Sequence, residues 1–243
     1  MTETMIEATD IGMALGEGPG RVDALKGITL SLAGGELTLL MGPSGSGKTT
    51  LLSVLGCMLS PTSGNVRIRG RSTSGLTAEQ LAQVRREHVG FVFQSYHLFP
   101  TLTAAENVRL ALDVRGDHAL EARAKADKAL ATVGLSHKAN AFPRALSGGE
   151  QQRVAVARAI VGDASVILAD EPTAALDSEN GQAVMTVLAE IAKDPARATF
   201  IVTHDPRIMP FADRILRIED GRIVSDQRGG ADVRIVHALK YAS

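Results

Sequence analysis

The sequence predicts an α/β fold, with a central parallel sheet, a phosphate-binding loop at its carboxyl edge and an inserted helical subdomain. Three observations predict it. Gly42-Pro-Ser-Gly-Ser-Gly-Lys-Thr49 fits G-x-x-x-x-G-K-[ST] between an apolar β segment and a helical pattern, the strand, glycine loop, helix order that such a loop requires. Val166-Ile-Leu-Ala-Asp170 and Thr199-Phe-Ile-Val-Thr203 are short apolar runs with little alternation, as expected of parallel strands buried on both faces. The charged, Ala-rich region from about Thr103 to Val133 reads as two helices broken at Gly116.

In chain order, residues around 24–41 form two β segments split by a turn at Gly34-Gly35, and the second runs into the phosphate loop. Leu51, Leu52, Leu55 and Leu59 then recur with helical spacing up to Pro61. Val66 to Arg69 and Val89 to Phe93 are further strands, and the helical insertion spans about 95–160. Ser147 opens a helix containing Arg153, Val154, Val156, Ala157 and Arg158, with Ser147 as N-cap and Glu150 at the capping-box position. Arg214 to Ile218 and Arg222 to Val224, turned at Asp220-Gly221, make a terminal hairpin. One domain over 1–227 and a tail over 228–243 follow, with no internal repeat.

A chain of 243 residues with 44% hydrophobic and 22% charged residues has the make-up of a globular domain with a substantial core. The formal net charge of -1 gives no basic field of the kind sequence-independent nucleic-acid binding needs, so nucleic acid is not expected as a main partner. Cys57 is the only cysteine, which excludes an internal disulfide and suits a small apolar residue on the helix after the loop. No apolar run approaches the roughly 18 residues that cross a bilayer, and the N-terminus has no secretion-signal pattern. A membrane role is therefore expected through a partner chain.

The chemistry concentrates at strand ends. Gly42, Gly45 and Gly47 let backbone amides converge on phosphate oxygens, with Pro43, Ser44, Ser46 and Thr50 completing the loop and the start of its helix. Lys48 is expected on the β and γ phosphates, and Thr49 on magnesium. Asp170 and Glu171 put two carboxylates at the carboxyl end of a central strand, where α/β sheets place ligands. Asp170 reads as the magnesium-side group, through water, and Glu171 as the group that polarises the attacking water. The alternative is a helix N-cap, but Pro172 follows at once and Asp177-Ser178 caps the next helix better. Gln94, at the end of Gly90-Phe-Val-Phe93, can orient both magnesium and water or simply be solvated. Ser147, Gly148, Gly149 and Glu150 open a second anion-binding helix start. One nucleotide does not need two such starts in one chain, so the economical arrangement is two chains facing head to tail, each completing the other's site.

These motifs, with Ala175-Leu-Asp177 and His204, resemble the ABC transporter ATPase family in order and spacing from about residue 6 to 225. The resemblance implies a P-loop NTPase (RecA-like) core, an N-terminal antiparallel β subdomain, and a nucleotide-sandwich dimer that hydrolyses ATP with Mg2+. It implies a nucleotide-binding role for Asp177 and a γ-phosphate contact for His204. It also implies a peripheral position on the cytoplasmic face of the cell (inner) membrane, against permease subunits. Leu81 to Val108 is most similar to the lipoprotein-release and macrolide-exporter branch, whose four-helix permeases carry large outer domains and transmit force. A soluble member, on a cofactor-assembly scaffold or in cell division, is the alternative. Tyr96, Leu98 and Phe99 are candidates for the permease groove, with core packing as the other reading. Where the family stacks adenine on an aromatic ring, this chain has Leu15, with Met13 nearby and no aromatic before Phe91, so GTP use is expected. The segment from Arg228 to Ser243 is expected to pack on its own domain, with partner docking as the alternative.

Overall fold

The computed structural model describes residues 3–117 and 119–229. The chain begins with β1 (Thr4–Leu15), β2 (Val22–Ala33), β3 (Leu37–Met41), α1 (Lys48–Leu55), β4 (Ser63–Ile68) and β5 (Arg71–Ser72). It continues through α2 (Ala78–His88), β6 (Val89–Val92), α3 (Ala104–Asp113), α4 (Ala119–Thr132) and α5 (Gly148–Ile160). It closes with β7 (Val166–Asp170), α6 (Ser178–Ala192), β8 (Ala198–Thr203), β9 (Arg214–Glu219) and β10 (Arg222–Arg228). Two sheets organise these elements. One is antiparallel, in the order β2-β1-β4-β5, and the other has the order β10-β9-β3-β8-β7-β6, parallel except at its β10 edge.

The unalternating runs have a simple cause. Successive side chains of a strand point to opposite faces, and both faces of the six-stranded sheet are covered. Leu37, Leu39 and Met41 pack into a core with α3, α4, α5 and α6, while Leu40 packs into a second core with α1, β1 and β2. β7 divides in the same way, with Ile167 and Ala169 on the helical side and Val166 and Leu168 on the other. The sheet thus holds its carboxyl ends between two layers. No helix among the described residues is long and apolar enough to cross a membrane.

Several expectations change in detail. The expected turn at Gly34-Gly35 is present and joins two sheets, since β2 pairs with β1 while β3 pairs with β8 and β9. α1 stops at Leu55 and does not continue to Leu59. Gly56 lies under the Phe91 ring, Cys57 turns the chain at a φ of 57°, and Leu59 is left exposed. Cys57 itself is buried, and that burial pushes its thiol up to about 11, which agrees with a packing role. The helices on either side of Gly116 are α3 and α4 as expected. The final strand is longer than expected and runs through Arg228, and the expectation for the tail lies outside the described residues from 230 onward.

Arg214 anchors the terminal hairpin. It is 4% exposed; its Nε and Nη2 each donate to Asp226 at 2.7 Å, and Nη1 donates to the Ser31 carbonyl at 2.6 Å. Glu36 adds a carboxylate 3.6 Å away. The paired guanidinium holds the Asp226 carboxyl below its usual range. A depressed folded-state pKa contributes stability that is complete above the unfolded value of about 3.9 and disappears as pH falls through the folded value. Asp226→Ala is expected to lower stability at pH 7 by about 1.5–2 kcal/mol, the low end for a charged hydrogen bond because Asp226 is half exposed. Urea titrations will show that gap at pH 7 and its progressive loss below about pH 4.

Candidate nucleotide-binding site

The end of β3 delivers the chain into the phosphate loop. Gly47 sits at a φ of 99°, and a Cβ there would fall 2.5 Å from the Ala24 carbonyl oxygen, so both backbone angle and space require glycine. Gly42 packs directly beneath the Ile218 carbonyl. α1 begins without a side-chain cap, which leaves its first N–H groups for an anion. Lys48 folds back over the loop, donating to the carbonyls of Gly42 at 2.9 Å and Pro43 at 2.7 Å. It is a cation already drawn to where phosphates would lie.

A cleft of about 830 Å3 opens over this loop. Ser44, Gly45, Gly47, Lys48, Thr49 and Thr50 form its floor, and Gln94, Glu171 and His204 line it from neighbouring strand ends. Gly42, Pro43 and Ser46 stand behind it, Ser46 buried with its amide donating to the Pro43 carbonyl and its own carbonyl accepting from Gly221. The opposite wall includes Leu15 and Val22, paired across β1 and β2 and both exposed. The expected neighbour Met13 pairs with Leu25 and does not reach the cleft. Val22 was missed by sequence reasoning; the signal for it was a second strand opposite Leu15, which appears only with the β1–β2 register.

The acidic pair divides its work. Asp170 lies one layer behind the floor, with the Thr49 hydroxyl 3.4 Å from its Oδ1. Burial pushes its carboxyl above the ordinary range, the Thr49 hydroxyl opposes this, and the Glu171 charge adds to the rise. A carboxylate so disfavoured gains strongly from a nearby cation. Glu171 adopts a left-handed φ of 47°, uncommon for a residue with a side chain. Its amide donates to Val202, Oε2 accepts from the Thr203 hydroxyl at 3.1 Å, and Oε1 meets His204 Nδ1 at 2.6 Å. If Glu171 accepts, Nδ1 carries the proton and Nε2 is left for another partner. The pairing of Glu171 with His204 has no signature in the sequence. It arises because β7 and β8 are parallel neighbours, with Asp170 opposite Val202.

The remaining candidates lie elsewhere. Ser147 caps α5, accepting from the Glu150 amide at 3.2 Å while Glu150 Oε2 accepts from the Ser147 amide at 2.8 Å. The Ser147 amide, aided by Lys138 at 3.5 Å, holds the Glu150 carboxyl below its usual range. Asp177 caps α6, accepting from Asn180, whose side chain sits against Gly149. None of Ser147, Gly148, Gly149, Glu150 and Asp177 lines the cleft. A single chain therefore gathers the start of α1 into the cleft and leaves the start of α5 out of it.

Known proteins share this plan. Residues 25–174 match the family described as ABC transporter. The solved dimeric cassette MJ0796 bound to ADP and Pi superposes with a TM-score of 0.83 at 38% identity, covering 92% of this chain and 98% of that one. The chain belongs to the ABC transporter family. It is an ATPase cassette on the P-loop NTPase fold, as its motifs implied. CbiO1 of Clostridium perfringens, part of the ABC transporter complex cbiONQ, superposes with a TM-score of 0.85 at 27% identity, over 98% of this chain and 92% of that one. The macrolide export ATP-binding/permease protein MacB of Bradyrhizobium diazoefficiens is 44% identical over 233 residues, 96% of this chain and 36% of that protein. MacB of Salmonella typhimurium is 46% identical over 220 residues, 90% of this chain and 34% of that protein. The cassette spans about a third of the length of these curated relatives.

Proposed function

We propose that this cassette hydrolyses ATP in a head-to-tail pair and passes the closing motion to a membrane permease of the macrolide-exporter or lipoprotein-release type. The observation that carries the proposal is the separation of the Ser147 helix start from a cleft that already holds a complete phosphate loop. In the pair, the Ser147-Gly-Gly-Glu150 turn of one protomer closes on the nucleotide held by its partner, and Asp177 joins that interface. Thr49, Gln94 and, through water, Asp170 are the oxygen donors that would hold magnesium, a hard cation that keeps waters and takes few carboxylates. Bound there, it would supply positive charge to offset that of the phosphates. Lys48 binds those phosphates, Glu171 polarises the attacking water, and His204 reaches the γ phosphate. The named function of the MacB relatives supports the permease type, and the working place proposed is the cytoplasmic face of the inner membrane.

Ser147→Arg is the test of the shared site. A bulky cation at the start of α5 is expected to reduce turnover by at least about 10²-fold, the usual worth of positioned transition-state groups, while one chain's nucleotide affinity stays within about twofold. Loss of both in a folded chain would contradict a site built from two chains. Cross-linking the Glu171→Gln chain, trapped with ATP in native membranes, then identifies the permease by mass spectrometry. A four-helix permease with a large outer domain is expected; recovery of soluble scaffold proteins alone would overturn the transporter reading.

Base selection follows from the cleft wall. Base stacking on an aromatic ring is worth about 1–3 kcal/mol, and Leu15 and Val22 supply aliphatic contact instead. Steady-state kinetics are expected to give kcat/KM for GTP within about tenfold of that for ATP. A preference for ATP above about 100-fold would refute this account of the wall.

A further inference from the structure

Between β6 and α3 the chain passes through a turn of unusual geometry. Tyr96 and His97 both take left-handed φ values, 60° and 48°, although neither is glycine. Consecutive residues of this kind persist only where their surroundings hold them. Arg158, half-buried on α5, supplies the hold: Nη2 donates to the Tyr96 carbonyl at 2.7 Å and Nη1 to the His97 carbonyl at 2.5 Å. The His97 ring packs on Phe93, with centroids 4.8 Å apart. At the opposite end of α5 the Tyr96 hydroxyl borders Gly148, where a Cβ would lie 3.0 Å from it. One helix thus grips the turn after Gln94 near its C-terminus and touches it again at its N-terminus, beside Ser147.

We infer that Arg158 is a positioning residue that aims Gln94 into the cleft and ties it to the Ser147 helix start. A planar guanidinium reaches two carbonyls at once, and a lysine ammonium on a flexible stem cannot fix both in the same way. The strained turn keeps its shape only while α5 stays in place, so a movement of α5 carries Gln94 with it. The inference rests on the proposed ATPase role of Gln94, and one of its two tests is independent of turnover.

The first test is hydrogen exchange on Arg158→Lys, with Arg158→Ala alongside. The Tyr96 and His97 amides donate within the turn to Phe93 and Ser95, so these two amides are expected to exchange at least about tenfold faster while those of α1 are unchanged. Unchanged exchange in the turn would overturn the inference whether or not the chain hydrolyses ATP. The second is a kinetic cycle with Gln94→Ala. Arg158→Lys is expected to lower kcat about tenfold with KM for ATP within twofold, and the double variant to match Gln94→Ala alone. Losses that multiply would show that Arg158 acts apart from Gln94 and would overturn the inference. Absence of turnover in the wild-type chain would instead remove the ATPase reading and leave the exchange result to decide the clamp.

Discussion

Glu171→Gln binds ATP with near wild-type affinity and turns it over about 10²–10⁴-fold more slowly, the usual worth of a positioned general base. The expectation comes from where Glu171 stands. It leaves the end of β7 in a left-handed conformation, with one carboxylate oxygen on the Thr203 hydroxyl and the other on His204. An amide keeps the shape and can still accept from Thr203, but it cannot take a proton from water. Binding is spared because the phosphate loop and Lys48 lie on other elements. Single-turnover hydrolysis with saturating ATP measures the chemical step directly. Retained hydrolysis in this variant would move the base to another group, with His204 the first to examine.

Lys48→Ala weakens ATP binding by at least about 10²-fold, the scale of losing one partner of a buried charged contact. Two losses act together. The phosphates lose their cation, and the carbonyls of Gly42 and Pro43 lose the donor that holds the loop in shape. The second loss is specific to this geometry, in which the lysine bonds its own loop before any nucleotide arrives. Titration calorimetry measures the change, with the thermal midpoint of the nucleotide-free chain recorded in parallel to verify folding. Affinity within about fivefold of wild type would mean that the loop amides and the α1 start carry binding without the lysine.

Which parts of this architecture were legible in the sequence follows from where the signals are local. β3, β7 and β8 read clearly because both of their faces are buried, so nearly every residue is apolar. The Ser147–Glu150 capping box is likewise written in four residues. The antiparallel β subdomain is implied by the resemblance, but the residues of β1 carry no clear strand pattern of their own. The register of β1 shifts repeatedly against β2, and Asp10 takes a φ of 51° in mid-strand, so its alternation is broken by bulges. α2 was missed, being highly charged with only Leu81 and Val84 buried. Its capping box, Thr77 with Gln80, was the available signal.

The site shows the same division. The phosphate loop and the acidic pair are contiguous motifs, and their approximate places followed from strand ends. The Glu171–His204 contact, the Leu15–Val22 wall and the Arg158 clamp join residues far apart in sequence through sheet register and helix packing. No local pattern announces such contacts. Of the permease candidates, Leu98 packs on the helical core while Phe99 is exposed, a difference that depends on the turn and not on residue type.

One chain is half of the proposed working unit, and the molar mass of the Glu171→Gln chain in solution decides whether it pairs. Light scattering with magnesium and saturating ATP is predicted to give twice the mass of the chain, and with ADP the mass of a single chain. A single-chain mass in both nucleotides, with ATP demonstrably bound, would contradict the head-to-tail pair.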